Sequence, residues 1–117
     1  MLIGGGVDAS VTWYTDCSGN SAVPRNSVAI DTCDTAVTYF VGHNPGLFTP
    51  LMSDGAGTHL TYYNGNGTAT GYVIEGYWDI TRAGATFPSP PAGTIAEFQT
   101  CVDPSATVVR VFYADAG

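Results

Sequence analysis

A cysteine, a histidine and an arginine from three separated stretches are the side chains of this sequence best suited to chemistry. Cys101 closes the run Phe98-Gln99-Thr100-Cys101, Arg110 follows nine positions later within Val108-Val109-Arg110-Val111, and His43 lies 58 positions upstream in Gly42-His43. The three supply a nucleophile, an acid or base, and a cation able to hold an oxyanion. A thiol of ordinary pKa, about 8.5, is only a few per cent thiolate at neutral pH, so a thiolate needs neighbours that favour the anion. His43 as imidazolium and Arg110 as a permanent cation would both do so, and Arg110 would hydrogen-bond the oxygen of an attacked carbonyl. Each residue also has a plainer reading. Cys101 at the end of an apolar strand could be a core residue, His43 a turn histidine, and Arg110 a strand-edge charge paired with Asp103 or Asp115.

The elements that must position these residues are short and extended. Val7 to Tyr14 alternates apolar and polar residues as a strand does, and Cys17 to Asn26 is a loop of Ser, Gly, Asn and Pro. Ser27 to Ile30 makes a second strand, and the β-branched and aromatic run Ala36 to Val41 makes a third that delivers His43 at its end. Asn44-Pro45-Gly46 turns the chain, and Leu47 to Met52 has the length of a single helical turn packed on the core. Thr58 to Tyr63 pairs with Thr70 to Tyr77 across Asn64-Gly65-Asn66-Gly67, and Trp78 to Thr81 extends or bends that second strand. Phe87-Pro88-Ser89-Pro90-Pro91-Ala92-Gly93 has too many prolines for a central strand and reads as a loop bordering a groove. Thr94 to Cys101 and Thr107 to Tyr113 are the last two strands, and antiparallel pairing between them would let Cys101 and Arg110 face one groove.

The order of these pieces resembles the sortase family of bacterial cysteine transpeptidases. Val41-Gly42-His43-Asn44-Pro45-Gly46 runs into Leu47-Phe48-Thr49-Pro50-Leu51, then Gly57-Thr58-His59-Leu60-Thr61-Tyr62-Tyr63, Gly71-Tyr72-Val73-Ile74 and Phe98-Gln99-Thr100-Cys101, with Arg110 on the next strand. The likeness spans roughly residues 37 to 114, and its weight lies in the joint order, since a Gly-His or Thr-Cys dipeptide alone is common. It implies a small closed or nearly closed all-β barrel with short helical turns, occupying residues 1 to 117 as one domain. It also implies roles: Cys101 as nucleophile, His43 as general acid and base, and Arg110 as oxyanion and substrate stabiliser. The implied reaction cleaves a sorting signal of the Leu-Pro-x-Thr-Gly kind and passes the acyl group to an amine. On position alone, Thr100, Gly42, Val109 and Trp78 are the groove-lining candidates. Two other functions fit the same residues: a sortase-fold thiol hydrolase, and a non-catalytic secreted β-domain with a buried Cys101. The chain is shorter before the histidine than family members usually are, and shows no lid segment ahead of it.

Composition is consistent with this reading. At 117 residues with 44% hydrophobic side chains the chain can fill one core, and 15 Gly with 7 Pro favour a turn-rich β fold. There is no lysine, only 11% of residues are charged, and the formal net charge is −7, a balance that repels nucleic acid. No stretch reaches the roughly 18 apolar residues of a membrane span, and the start carries no visible export signal or anchor. Cys17 and Cys33 sit in polar, turn-rich surroundings whereas Cys101 does not, so a Cys17–Cys33 disulfide with Cys101 free is expected. The bridge would close a loop of about 15 residues, worth on the order of 3 kcal/mol in the chain-entropy model. Bridge and resemblance together place the protein outside the cytoplasm, at a bacterial surface, as a monomer. His59 reads as an ordinary strand histidine, and Arg25 and Arg82 remain ambiguous. Two distant histidines and three cysteines lack the spacing of a zinc site. Asp31, Asp34, Asp54 and Glu75 match no defined calcium loop, so no metal or other cofactor is expected.

Overall fold

In Val7-Asp8-Ala9-Ser10 the apolar residues are buried and the polar ones exposed, the period-two pattern that fixes which face of a strand turns inward. The structure, a computed structural model, describes residues 1–14, 24, 26–32, 37–44, 46–53, 55–81, 89–102 and 107–117. Its strands are β1 (Leu2–Gly4), β2 (Val7–Tyr14), β3 (Ser27–Asp31), β4 (Thr38–Val41), β5 (His59–Tyr63), β6 (Ala69–Thr81), β7 (Ala96–Cys101) and β8 (Val108–Ala116). One short helix, α1 (Thr49–Ser53), lies between β4 and β5. The strands close into a barrel in the order β1-β2-β3-β4-β7-β8-β6-β5, with β5 pairing back to β1. The β2–β3 and β4–β7 pairs are parallel and the remainder antiparallel.

The barrel interior is filled by Leu2, Val7, Val28, Ile30, Phe40, Leu60, Ile74, Phe98 and Phe112, all buried. Phe40 and Phe98 stack at 4.9 Å, and Tyr72 meets both edge-on at 5.9 and 5.8 Å. Phe48, just ahead of α1, and Leu51 within it reach into the same interior, with Phe48 edge-on to Phe98 at 6.2 Å. A second, smaller apolar cluster joins Val37, Tyr39, Ile80, Val109 and Val111, with Val41 and Trp78 packed against it. Because Phe40 and Phe112 point into the barrel while Tyr39, Val41 and Val111 alternate with them, this second cluster lies on the outer face of the β4-β7-β8-β6 wall.

Sequence reasoning overlooked β1. Its three residues pair with β2, and Leu2 and Ile3 pair also with β5, Leu2 meeting Ala9 on one side and Tyr62 on the other, and so complete the barrel. The turn to β2 depends on glycine: Gly4, Gly5 and Gly6 hold φ values of 140°, 56° and 86°. The strand after Asn64-Gly65-Asn66-Gly67 does run through Trp78 to Thr81, with a register shift between Ile74 and Gly76 that bends it. The expected Cys17–Cys33 bridge lies outside the described residues, as do Arg25, Asp34, Asp54, Arg82 and Asp103.

Candidate functional site

The parallel pairing of β4 with β7 brings the histidine and the cysteine together. Tyr39, Phe40 and Val41 lie beside Glu97, Phe98 and Gln99, and continuing that register by two residues sets His43 beside Cys101. Two hydrogen bonds hold the continuation in place. The Gly42 amide donates to the Gln99 carbonyl at 3.0 Å, and the Asn44 side-chain Nδ2 donates to the Cys101 carbonyl at 2.8 Å. Thr49 Oγ1 donates to Asn44 Oδ1 at 3.0 Å and accepts from the Gly46 amide at 2.8 Å, so one chain of bonds ties the turn after His43 to the end of β7. The His43 carbonyl accepts from the Phe48 amide at 3.0 Å. Cys101 is half-buried and a free thiol.

The pairing of β7 with β8 sets out the rest. Cys101 lies opposite Val109, whose own neighbour on β6 is Ile80, and Thr100 lies opposite Arg110, whose neighbour is Asp79. Successive rows of a sheet point to opposite faces. Cys101 therefore shares the outer face with Val109, and Arg110 shares the other face with Thr100 and Asp79. The expectation that antiparallel pairing would turn Cys101 and Arg110 into one groove does not hold at this register. Arg110 is instead engaged with Asp79, Nε to Oδ1 at 2.7 Å and Nη2 to Oδ2 at 3.0 Å, and its guanidinium carbon stands 4.0 Å from the centre of the Tyr77 ring. The plainer reading of Arg110 as an ion-paired strand residue named Asp103 or Asp115; the partner observed is Asp79. Asp79 raises the arginine pKa further, partly opposed by burial, so the cation is permanent.

The four groove candidates divide between the two faces of the sheet: Val109 and Trp78 belong to the outer cluster on the side of Cys101, whereas Thr100 lies on the other side with Arg110. Val109 is 1% exposed in the outer cluster, and Trp78, half-buried, packs on it with its ring 4.7 Å from that of Tyr113. Gly42 is buried with the Phe48 ring directly over it, where a Cβ would come within 2.7 Å of ring carbons. Thr100 is 1% exposed, and its Oγ1 has no hydrogen-bond partner among the described residues. His59 is exposed on β5. Among the described residues no three or more His, Cys, Asp or Glu side chains gather as a metal site, and no helix is long and apolar enough to cross a membrane.

No family model and no curated protein sequence matches the chain. Solved structures do. Sortase A from Listeria monocytogenes superposes with a TM-score of 0.71 at 15% identity, over 99% of this chain and 84% of that one. The chain has a sortase-like fold. Lid-mutant sortase A from Corynebacterium diphtheriae gives a TM-score of 0.72 at 12% identity, and sortase C1 from Streptococcus suis 0.67 at 16%. This chain spans 64% and 63% of the length of those two sortases. The closed barrel, with eight strands and one short helix among the described residues, is thus the sortase-like architecture anticipated from the order of motifs. Three residues around these side chains were not singled out from sequence: Asn44, which read only as part of a turn, and Asp79 and Tyr77, whose approach to Arg110 depends on the register of β6 with β8.

Proposed function

We propose that the protein is a cysteine transpeptidase acting on peptide sorting signals at a bacterial cell surface. The observation that supports this reading is the parallel β4–β7 register, whose continuation by two residues would bring His43 beside the free Cys101 within a sortase-like fold. In this reading the Cys101 thiolate attacks the carbonyl carbon of the residue before the scissile bond, and the carbonyl oxygen takes the negative charge. The family resemblance assigns the cation for that oxygen to Arg110, which the register sets on the face away from Cys101 and which must reorient to fill that role. As the tetrahedral centre collapses, the C–N bond breaks and the His43 imidazolium gives its proton to the departing amine, leaving a thioester. An incoming primary amine then attacks the thioester, His43 takes its proton, and the thiolate leaves. With no lysine in the chain, its own α-amino group is the one internal amine, so a requirement for an external amine acceptor is expected. The sorting motif expected from the family is of the Leu-Pro-x-Thr-Gly type.

The test is incubation with such a peptide and an oligoglycine amine, followed by mass spectrometry, with Cys101→Ala and His43→Ala in parallel. The expected result is a peptide joined to the amine through its threonine, absent with Cys101→Ala and reduced by about 10²-fold or more with His43→Ala. Cleavage that survives Cys101→Ala would overturn the mechanism. Release to water without transfer would make the protein a thiol hydrolase of the same fold. A Cys101 inert to alkylating reagents in the folded protein would favour the non-catalytic β-domain.

A further inference from the structure

Thr100 faces away from the thiol, and the nearest residue of β7 that shares the face of Cys101 is Gln99. Its row in the sheet runs from Val41 on β4 through Gln99 to Val111 on β8 and Trp78 on β6, and the row of Cys101 continues through Val109 to Ile80. These five neighbours belong to the outer apolar cluster or pack on it, so Gln99 sets an amide into an apolar surface beside the thiol. The Tyr39 hydroxyl donates to Gln99 Oε1 at 2.6 Å, which turns Nε2 away from Tyr39 as a donor with no partner among the described residues. Gln99 is half-buried. A peptide laid over it would strip the water from Nε2, at a cost unless the peptide supplies an acceptor.

We propose that Gln99 determines specificity: its Nε2 donates to the main-chain carbonyl of the residue two positions before the one attacked by Cys101. This rests on the transpeptidase reading. β7 ends at Cys101, so the strand continues from the thiol on one side only, back over Gln99. The half of the peptide held as a thioester must stay bound between the two steps while the other half leaves, and this side of the thiol offers the surface to hold it. In an extended peptide, groups two residues apart face the same way at a spacing of about 7 Å, which is also the spacing of Gln99 and Cys101 along a strand. The carbonyl two positions back therefore meets the amide when the attacked carbonyl meets the thiol. Tyr39 acts as a positioning residue, since its hydroxyl decides which end of the amide faces the peptide.

The experiment compares the wild type, Gln99→Met, Gln99→Glu and Tyr39→Phe on the peptide Leu-Pro-Ala-Thr-Gly and on its analogue in which an alkene replaces the Pro–Ala amide. It reads steady-state transfer to oligoglycine and, separately, the peptide concentration that half-protects Cys101 from iodoacetamide, followed by mass spectrometry. Methionine keeps the length of the side chain without a donor, and glutamate keeps the bond from Tyr39 without a donor. Both are expected to lower kcat/KM for the amide peptide about five- to tenfold, chiefly through KM, and to raise the half-protective concentration by the same factor. The wild type is expected to lose that factor on the alkene analogue, and the two Gln99 variants to lose no more. Tyr39→Phe should give a smaller loss, about two- to threefold. Unchanged values in both Gln99 variants overturn the proposal, as does an alkene penalty as large in them as in the wild type. Protection that depends on Gln99 in a protein that transfers no acyl group refutes the transpeptidase reading and leaves the Gln99 contact standing, whereas transfer indifferent to Gln99 does the reverse. A peptide that neither protects the thiol nor is transferred overturns both.

Discussion

Asn44 is the residue on which the meeting of His43 and Cys101 most directly depends, because its side-chain amide donates to the Cys101 carbonyl while accepting from Thr49. Asn44→Asp keeps the shape and the acceptor but removes the donor, and it sets a carboxylate against a carbonyl. A cost of about 1–3 kcal/mol in unfolding free energy is expected, with a fall in turnover larger than that of Thr49→Val; denaturant titration and steady-state kinetics check both. Arg110→Lys makes the opposite split. An ammonium retains the charge for Asp79 but lacks the planar fork and stacks poorly on Tyr77, so turnover is expected to drop about 10²-fold while the melting temperature moves by only a few degrees. Comparable losses in stability and turnover would mark Arg110 as a structural ion-pair residue. Gly42→Ala would push a methyl group into the Phe48 ring, with an expected cost of about 1–3 kcal/mol and a shift of His43 seen as altered alkylation of Cys101.

At the scale of elements, the site is built by strand ends. β4 and β7 run parallel, so they finish at the same end of the barrel, where Cys101 is the last residue of β7 and His43 follows two residues after the end of β4. The sequence made this partly legible, because Thr-Tyr-Phe-Val before Gly42-His43 and Glu-Phe-Gln-Thr before Cys101 are β-branched and aromatic runs with clear ends. The helical turn over residues 47 to 52 and the Asn-Gly hairpin were legible for the same local reasons, and both formed within one or two residues of expectation. Pairing between distant strands left no such mark. The face on which Arg110 sits depends on its register with β6 and β7, and a shift of one residue would have reversed it. β1 was missed because a three-residue strand that ends in the first of three glycines carries almost no propensity signal, although pairing with β2 and β5 holds it. Gly4→Ala tests that pairing: the added Cβ runs into the His59 carbonyl at a positive φ, and a loss above about 2 kcal/mol in denaturant unfolding is expected. Phe48→Ala should cost about 3–5 kcal/mol, because the ring joins the segment leading into α1 to the barrel core.

For the whole molecule, the tyrosines of the barrel core set an alkaline limit. Burial raises the pKa of Tyr72, with the hydrogen bond to Thr38 opposing and the charge on Tyr62 adding to it, and burial raises that of Tyr62. The folded state therefore holds these phenolic protons more tightly than the unfolded chain. Their contribution to stability is complete below about pH 10, the ordinary tyrosine value, and is lost as pH rises through the folded values. Unfolding followed between about pH 9 and 11 should show stability falling, and Tyr72→Phe should flatten that fall. The place of β8 has a different consequence, one of time. It lies between β6 and β7 although it comes last of the eight strands, and β7 lies beside β4 although two strands separate them along the chain. During synthesis His43 emerges 58 residues before Cys101 and waits for it, while β6 keeps an unpaired edge until β8 appears. Such non-local closure is slow, in the millisecond-to-second range of β-barrels. The β4–β7 register on which the proposed meeting of His43 and Cys101 depends thus forms only after six of the described strands have already been made.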